Sequence, residues 1–147
     1  MDQSSPVRTE RREEGVLVIT LNRPDQRNAV NAAMAQGIAA AVDELDGDPD
    51  LRVGIFTGAG KGFCSGMDLK AFVDGESPFV DGRGFAGLVE RPPEKPVIAA
   101  VEGFAIAGGC EVALACDIIV AGRDARFGVP EVKRSLVAAG GALLRLP

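Results

Sequence analysis

VIAAVEGFAIAGGCEVALACDIIVAG, residues 97–122, runs as strand, glycine loop, helix and strand in succession. VIAAV is a small and β-branched run closed by Glu102 and Gly103, the signature of a short strand. FAIAGG follows as a glycine loop, CEVALAC as a helix, and DIIVAG as another strand. Strands alternating with helices in this way argue for a layered α/β architecture.

The same order recurs upstream. GVLVITLN (Gly15 to Asn22) is rich in β-branched residues, and Pro24 in the loop RPDQRN breaks it. Val30, Met34, Ile38, Val42 and Leu45 recur every three to four residues, so the spacing predicts an amphipathic helix that stops at Gly47. LRVGIFTG (Leu51 to Gly58) predicts the next strand, AGKGFCSG a loop, and Met67 or Asp68 the start of a short helix. Two segments stand outside this rhythm. Residues 1–14 are polar and charged and predict a flexible leader to a core over 15–147, while Asp74 to Pro93, dense in Gly, Pro and charge, predicts a mobile surface excursion.

Composition narrows the function classes. With 46% hydrophobic residues over 147 positions the chain suits one globular domain. A net charge of -5 argues against a nucleic-acid groove or an anionic membrane surface, and the absence of Trp and Tyr leaves few platforms for stacking on bases. The polar start lacks the apolar core of a secretory signal, and Asp117 interrupts the most apolar run, so the expectation is a cytoplasmic protein without a membrane span. Cys64, Cys110 and Cys116 show no CxxC spacing and the chain has no His, which removes zinc and His-activated thiol chemistry from the expectations. The glycine loop at 58–62 fits neither a phosphate-binding P-loop, because Ile55 stands where its first Gly belongs, nor the dinucleotide fingerprint, because Phe63 stands where its last Gly belongs.

What remains is carboxylate chemistry. Glu111 is the sole ionisable carboxyl between Phe104 and Cys116, and an unpaired carboxylate in so apolar a segment costs several kcal/mol, on the order of 2–7. Glu131 follows Pro130 in a second apolar stretch, FGVPEV; together the two suggest an acid/base pair, against the alternatives of a carboxylate satisfied by backbone donors and of an acid in a helix's first turn. Each glycine loop delivers the chain into a helix start, at Ser65-Gly66-Met67-Asp68 and at Ala107-Gly108-Gly109-Cys110. Helix starts leave N–H groups unpaired, and two of them aimed at one carbonyl oxygen would form an oxyanion hole. Asp68 reads as a helix cap, Asp117 as structural, and Lys61, Lys70 and Arg27 as surface cations able to meet phosphates.

KGFCSGMDLKAF (61–72) and KPVIAAVEGFAIAGGCEVALACDIIVAGRDARFGVPE (95–131), with NRPDQRNAVN (22–31), resemble the signature regions of the crotonase superfamily, specifically its enoyl-CoA hydratases and isomerases. The resemblance implies a crotonase-like α/β fold of repeated β-β-α units, of which this chain is the N-terminal core portion. It implies that the N–H groups of Met67 and Gly108 form the oxyanion hole, that Glu111 and Glu131 hold the catalytic water, and that Gly66, Asp68, Lys70 and Gly109 belong to the substrate-binding surface. No cofactor or metal is implied, since CoA arrives as part of the acyl-CoA thioester substrate. Possession of both glutamates favours hydration of a 2-enoyl-CoA; double-bond isomerisation, dehydration of a 3-hydroxyacyl-CoA such as carnitinyl-CoA, and a non-catalytic association fragment are the alternatives. Relatives extend beyond the point matching Pro147 into a helical region that completes the pocket and the contacts of trimers or hexamers, so the resemblance implies a C-terminally truncated core. After Glu131, Ser135 and Ala138 replace the Gly and Pro that many relatives carry ahead of the paired glycines, here Gly140-Gly141.

Overall fold

A computed structural model describes residues 4–146, and the first three residues of the expected leader lie outside the described residues. Five strands form the main sheet. They are β1 (Val7–Arg12), β2 (Val16–Leu21), β3 (Val53–Gly58), β6 (Val97–Val101) and β8 (Ile118–Ala121), side by side in that order. β1 is antiparallel to β2, and every later neighbour is parallel, with Val16 opposite Val53, Gly54 opposite Val97 and Ile98 opposite Ile118.

Period-two alternation in β2 and β6 puts Leu17, Ile19, Leu21, Val97, Ala99 and Val101 on one buried face. Helix α1 (Ala32–Gly47) covers it with Met34, Ile38, Val42 and Leu45, the side chains whose spacing predicted the helix. Its start is set by Asn31, whose side chain accepts from Met34 N.

The remaining elements build a second layer around the main sheet's ends. α2 spans Leu69–Val73; β4 (Phe79–Val80) and β5 (Gly84–Phe85) make a short hairpin; β7 (Phe104–Ile106) pairs in parallel with β9 (Arg126–Gly128). α3 (Gly108–Leu114) leaves β7 directly, and α4 (Ala142–Arg145) closes the described chain. β6 and β7 thus lie one in each sheet before α3, and β8 and β9 do the same, whereas β1 and β2 both lie in the main sheet before α1. The α/β architecture expected from the sequence is the one observed.

Three expectations are corrected. Residues 7–12 are not a flexible leader. They form an edge strand in full register with β2, because Val7 buries against α1 at Gly37 while Arg11 pairs with Glu44 and Asp48 of the same helix at 2.9 and 2.6 Å. A charged edge strand reads as a polar leader when its pairing is unseen. Nor is 74–93 an excursion. Phe85, Ala86, Leu88 and Val89 are buried, Arg83 pairs with Asp43, and the Asp46 carboxylate accepts from Glu94 N and Lys95 N, so the segment is bound along α1. The loop FAIAGG, finally, is strand for its first three residues, and its partner β9 was not foreseen. Three-residue strands carry too little alternation to be read.

Candidate active site

The first loop is held from both sides. Cys64 N donates to Phe104 O at 3.1 Å and Ile106 N to Cys64 O at 3.0 Å, so residues 63–65 run beside β7 as an extra strand. On its far side Val30 N donates to Gly66 O and Asp68 N to Val30 O, at 2.7 and 2.9 Å. Asn28 ties the loop's base. It is 1% exposed, its Nδ2 donates to Ala59 O and Gly62 O at 2.9 Å each, and its Oδ1 accepts from Arg23 N at 2.8 Å. Gly66 holds φ +99°, and a Cβ there would stand 3.0 Å from Gly108 N, so a side chain would separate the two loops.

The second loop turns through Ala107, whose φ of 55° and ψ of -128° lie where non-glycine residues rarely go. Ala107 N is taken by Gly128 O at 2.8 Å, which leaves Gly108 to open α3. Gly109 is there for packing: a Cβ on it would stand 2.2 Å from Cys64 O. Among the described residues, neither Met67 N nor Gly108 N has a hydrogen-bond acceptor, although both belong to residues lining one cavity.

That cavity has a volume of about 530 Å³, and Glu111 and Glu131 line it as well. Glu111 is 4% exposed, in the first turn of α3, with Oε1 accepting from Gly140 N at 2.8 Å and Ala142 N at 3.2 Å. Burial pushes its carboxyl above the usual range. The two N–H donors pull it back, the Glu131 charge raises it further, and Arg145 lowers it. Glu131 sits in the 3₁₀ turn Pro130–Arg134, and its Oε2 is buried without a hydrogen-bond partner among the described residues. An orphaned carboxylate oxygen beside a second carboxylate is an acceptor in want of a donor.

Four residues singled out from the sequence, Met67, Gly108, Glu111 and Glu131, therefore meet in one cavity wall. Gly66, Asp68, Lys70 and Gly109 do not line it. Gly66 and Gly109 make the loop packing possible, and Lys70 is exposed on α2. Asp68 caps α2 by accepting from Ala71 N at 3.1 Å and pairs with Arg23 at 3.0 Å. Burial alone would raise its carboxyl, but that hydrogen bond and the guanidinium hold it below the usual range. Sequence reading missed the pocket roles of Phe79 and Phe85; Arg23 and Asn28 entered it only as members of longer stretches, and Gly140 only as one of the paired glycines Gly140-Gly141. Main-chain partners, which supply the roles of Asn28 and Gly140, leave no residue-type signal.

A mostly parallel five-stranded sheet with a second short parallel pair, and α3 leaving that pair directly, is a fold of the crotonase kind. The chain belongs to the enoyl-CoA hydratase/isomerase family, whose model matches residues 11–147. It is 48% identical over 143 residues to a mevalonyl-coenzyme A hydratase of Beauveria bassiana, covering 89% of this chain and 51% of that protein. It is 47% identical over 152 residues to enoyl-CoA hydratase EchA19 of Mycobacterium tuberculosis, covering 98% and 57%. Among solved structures, an enoyl-CoA hydratase from Mycobacterium tuberculosis H37Rv matches with a TM-score of 0.95 and 61% identity, over 98% of this chain and 56% of that one. The chain thus spans about half the length of the relatives it matches.

Proposed function

We propose that this chain carries the catalytic core for reversible hydration of 2-trans-enoyl-CoA to 3-hydroxyacyl-CoA. The observation that supports it most is the meeting of two carboxylates and two acceptorless N–H groups in one wall of an apolar cavity. In this reading Met67 N and Gly108 N donate to the thioester oxygen, where negative charge collects as water adds at C3, and each such donor lowers the barrier by about 3–4 kcal/mol. Glu111, held by Gly140 N and Ala142 N, takes the proton of the attacking water. Glu131 delivers a proton to C2. Bond changes balance: the C2–C3 π bond is consumed, C3 gains hydroxyl and C2 gains hydrogen. No cofactor beyond the CoA of the substrate enters this proposal.

The test is the loss of enoyl-thioester absorbance when the purified protein meets crotonyl-CoA, with Glu111→Gln and Glu131→Gln beside it. Each substitution is expected to lower kcat by about 10²–10⁴-fold with little change in KM. Unchanged rates in both would remove the acid/base assignment.

A second reading, association with further polypeptide, is favoured by one observation. Ile118, Ile119 and Val120 of the edge strand β8 are 55%, 37% and 59% exposed, on both faces of the strand. Edges of this kind invite pairing, and assembly into the trimers or hexamers implied by resemblance is part of this proposal. So is a cytoplasmic setting, which the free thiols of Cys64, Cys110 and Cys116 support.

A further inference from the structure

Four of the chain's seven phenylalanines, Phe72, Phe79, Phe85 and Phe104, line the cavity that holds the two glutamates. Phe85 lies directly against the second loop: a Cβ on Gly108 would stand 2.5 Å from its Cε1 and 2.6 Å from its Cζ. Phe79 meets Phe85 edge to face, with ring centroids 5.8 Å apart and planes at 69°. Phe85 is buried, whereas Phe79 and Phe72 are 47% and 49% exposed. Large rings held half in water at a cavity wall gain by being covered, and aromatic rings cover one another better than alkyl chains do, through their offset and edge-to-face geometry.

Resting on the hydratase reading, we propose that the acyl group this site takes carries a ring, the substrate class being the 3-aryl-2-propenoyl thioester and its 3-aryl-3-hydroxypropanoyl hydrate. With the thioester oxygen at Met67 and Gly108, Phe85 flanks the carbonyl, and the ring on C3 is covered by Phe79 and Phe72. The aryl-enoyl group is planar and conjugated, so it enters already ordered, whereas a flexible alkyl chain loses rotamers on binding. Water adds at C3 with its proton passing to Glu111, and C2 takes a proton from Glu131; no oxidant or reductant is involved. Conjugation with the ring stabilises the enoyl side, so turnover is read best from the hydroxy thioester, as enoyl absorbance appears.

Calorimetric titration of the purified chain with two unreactive saturated thioesters of equal carbon count, 3-phenylpropanoyl-CoA and nonanoyl-CoA, tests the pocket apart from the chemistry and the ring apart from size. The phenyl thioester is expected to bind about tenfold tighter or more, and Phe79→Ala and Phe72→Ala are each expected to shrink that ratio about three- to tenfold. Both rings are half-exposed, so neither substitution opens the core. Equal affinities in the unaltered chain, a ratio untouched in both variants, or binding of neither thioester would overturn the proposal. A preserved ratio in a chain that turns over neither crotonyl-CoA nor cinnamoyl-CoA would uphold the ring pocket and remove the hydratase reading instead.

Discussion

Glu111 is held at some cost and its setting sets the pH behaviour of the site. Because burial, seconded by Glu131, raises its carboxyl, the rate of hydration is expected to climb with pH through an apparent pKa above the ordinary glutamate value, measured as kcat/KM for crotonyl-CoA. Stability runs the other way. A carboxyl with a folded pKa above its unfolded one contributes stability that is fully present below the unfolded pKa and is lost as pH rises through the folded one. Glu111→Gln should therefore gain in Tm relative to the unaltered chain as pH rises from the ordinary glutamate pKa through the raised one. Gly140 shows how narrow the carboxylate's seat is. A Cβ there would stand 2.4 Å from Glu111 Oε2, so Gly140→Ala is expected to displace the carboxylate and lower kcat by about 10²-fold while far-UV circular dichroism stays unchanged. Glu111 was legible in the sequence as the one carboxyl in an apolar run; its seat was not, because two main-chain N–H groups 29 and 31 residues away supply it.

At the scale of elements, the site depends on loops clamped by side chains that never touch the cavity. Asn28 satisfies Ala59 O, Gly62 O and Arg23 N at once, and Asn28→Ala would leave three buried main-chain groups without partners. The expected loss is roughly 2–4 kcal/mol, read as a lower urea midpoint at unchanged slope. Elements with a period of their own were legible: β2, α1, β3, β6 and β8 lie within a residue or two of where alternation and spacing put them. Elements without one were not. β7 and β9 have three residues each and exist through their pairing, and β1 was hidden by its charges. The hairpin segment deceived in another way, since Gly, Pro and charge outnumber the few apolar residues, Phe85, Leu88 and Val89, that anchor it.

Across the whole molecule, apolar surface is distributed unevenly. One side of the main sheet is sealed by α1, while Ile118, Ile119 and Val120 at the β8 edge and Leu143, Leu144 and Leu146 near α4 are exposed. A purified chain is expected to associate through β8, and Val120→Lys should shift sedimentation toward monomer while altering stability by no more than about 0.5 kcal/mol. The order β2-β3-β6-β8 has a further meaning for how the protein is made. Parallel neighbours are separated by helices and loops, so Val16 finds Val53, and Gly54 finds Val97, only after long stretches of chain have closed. Loop closure must precede the pairing that rewards it, so folding belongs to the slow, millisecond-to-second regime. During that interval VLVIT, VGIF and DIIVA are bare strands on a nascent chain, and yield of folded protein is a race between sheet assembly and encounters with other copies. Dilution, lower temperature and a holdase chaperone during synthesis all favour the first runner.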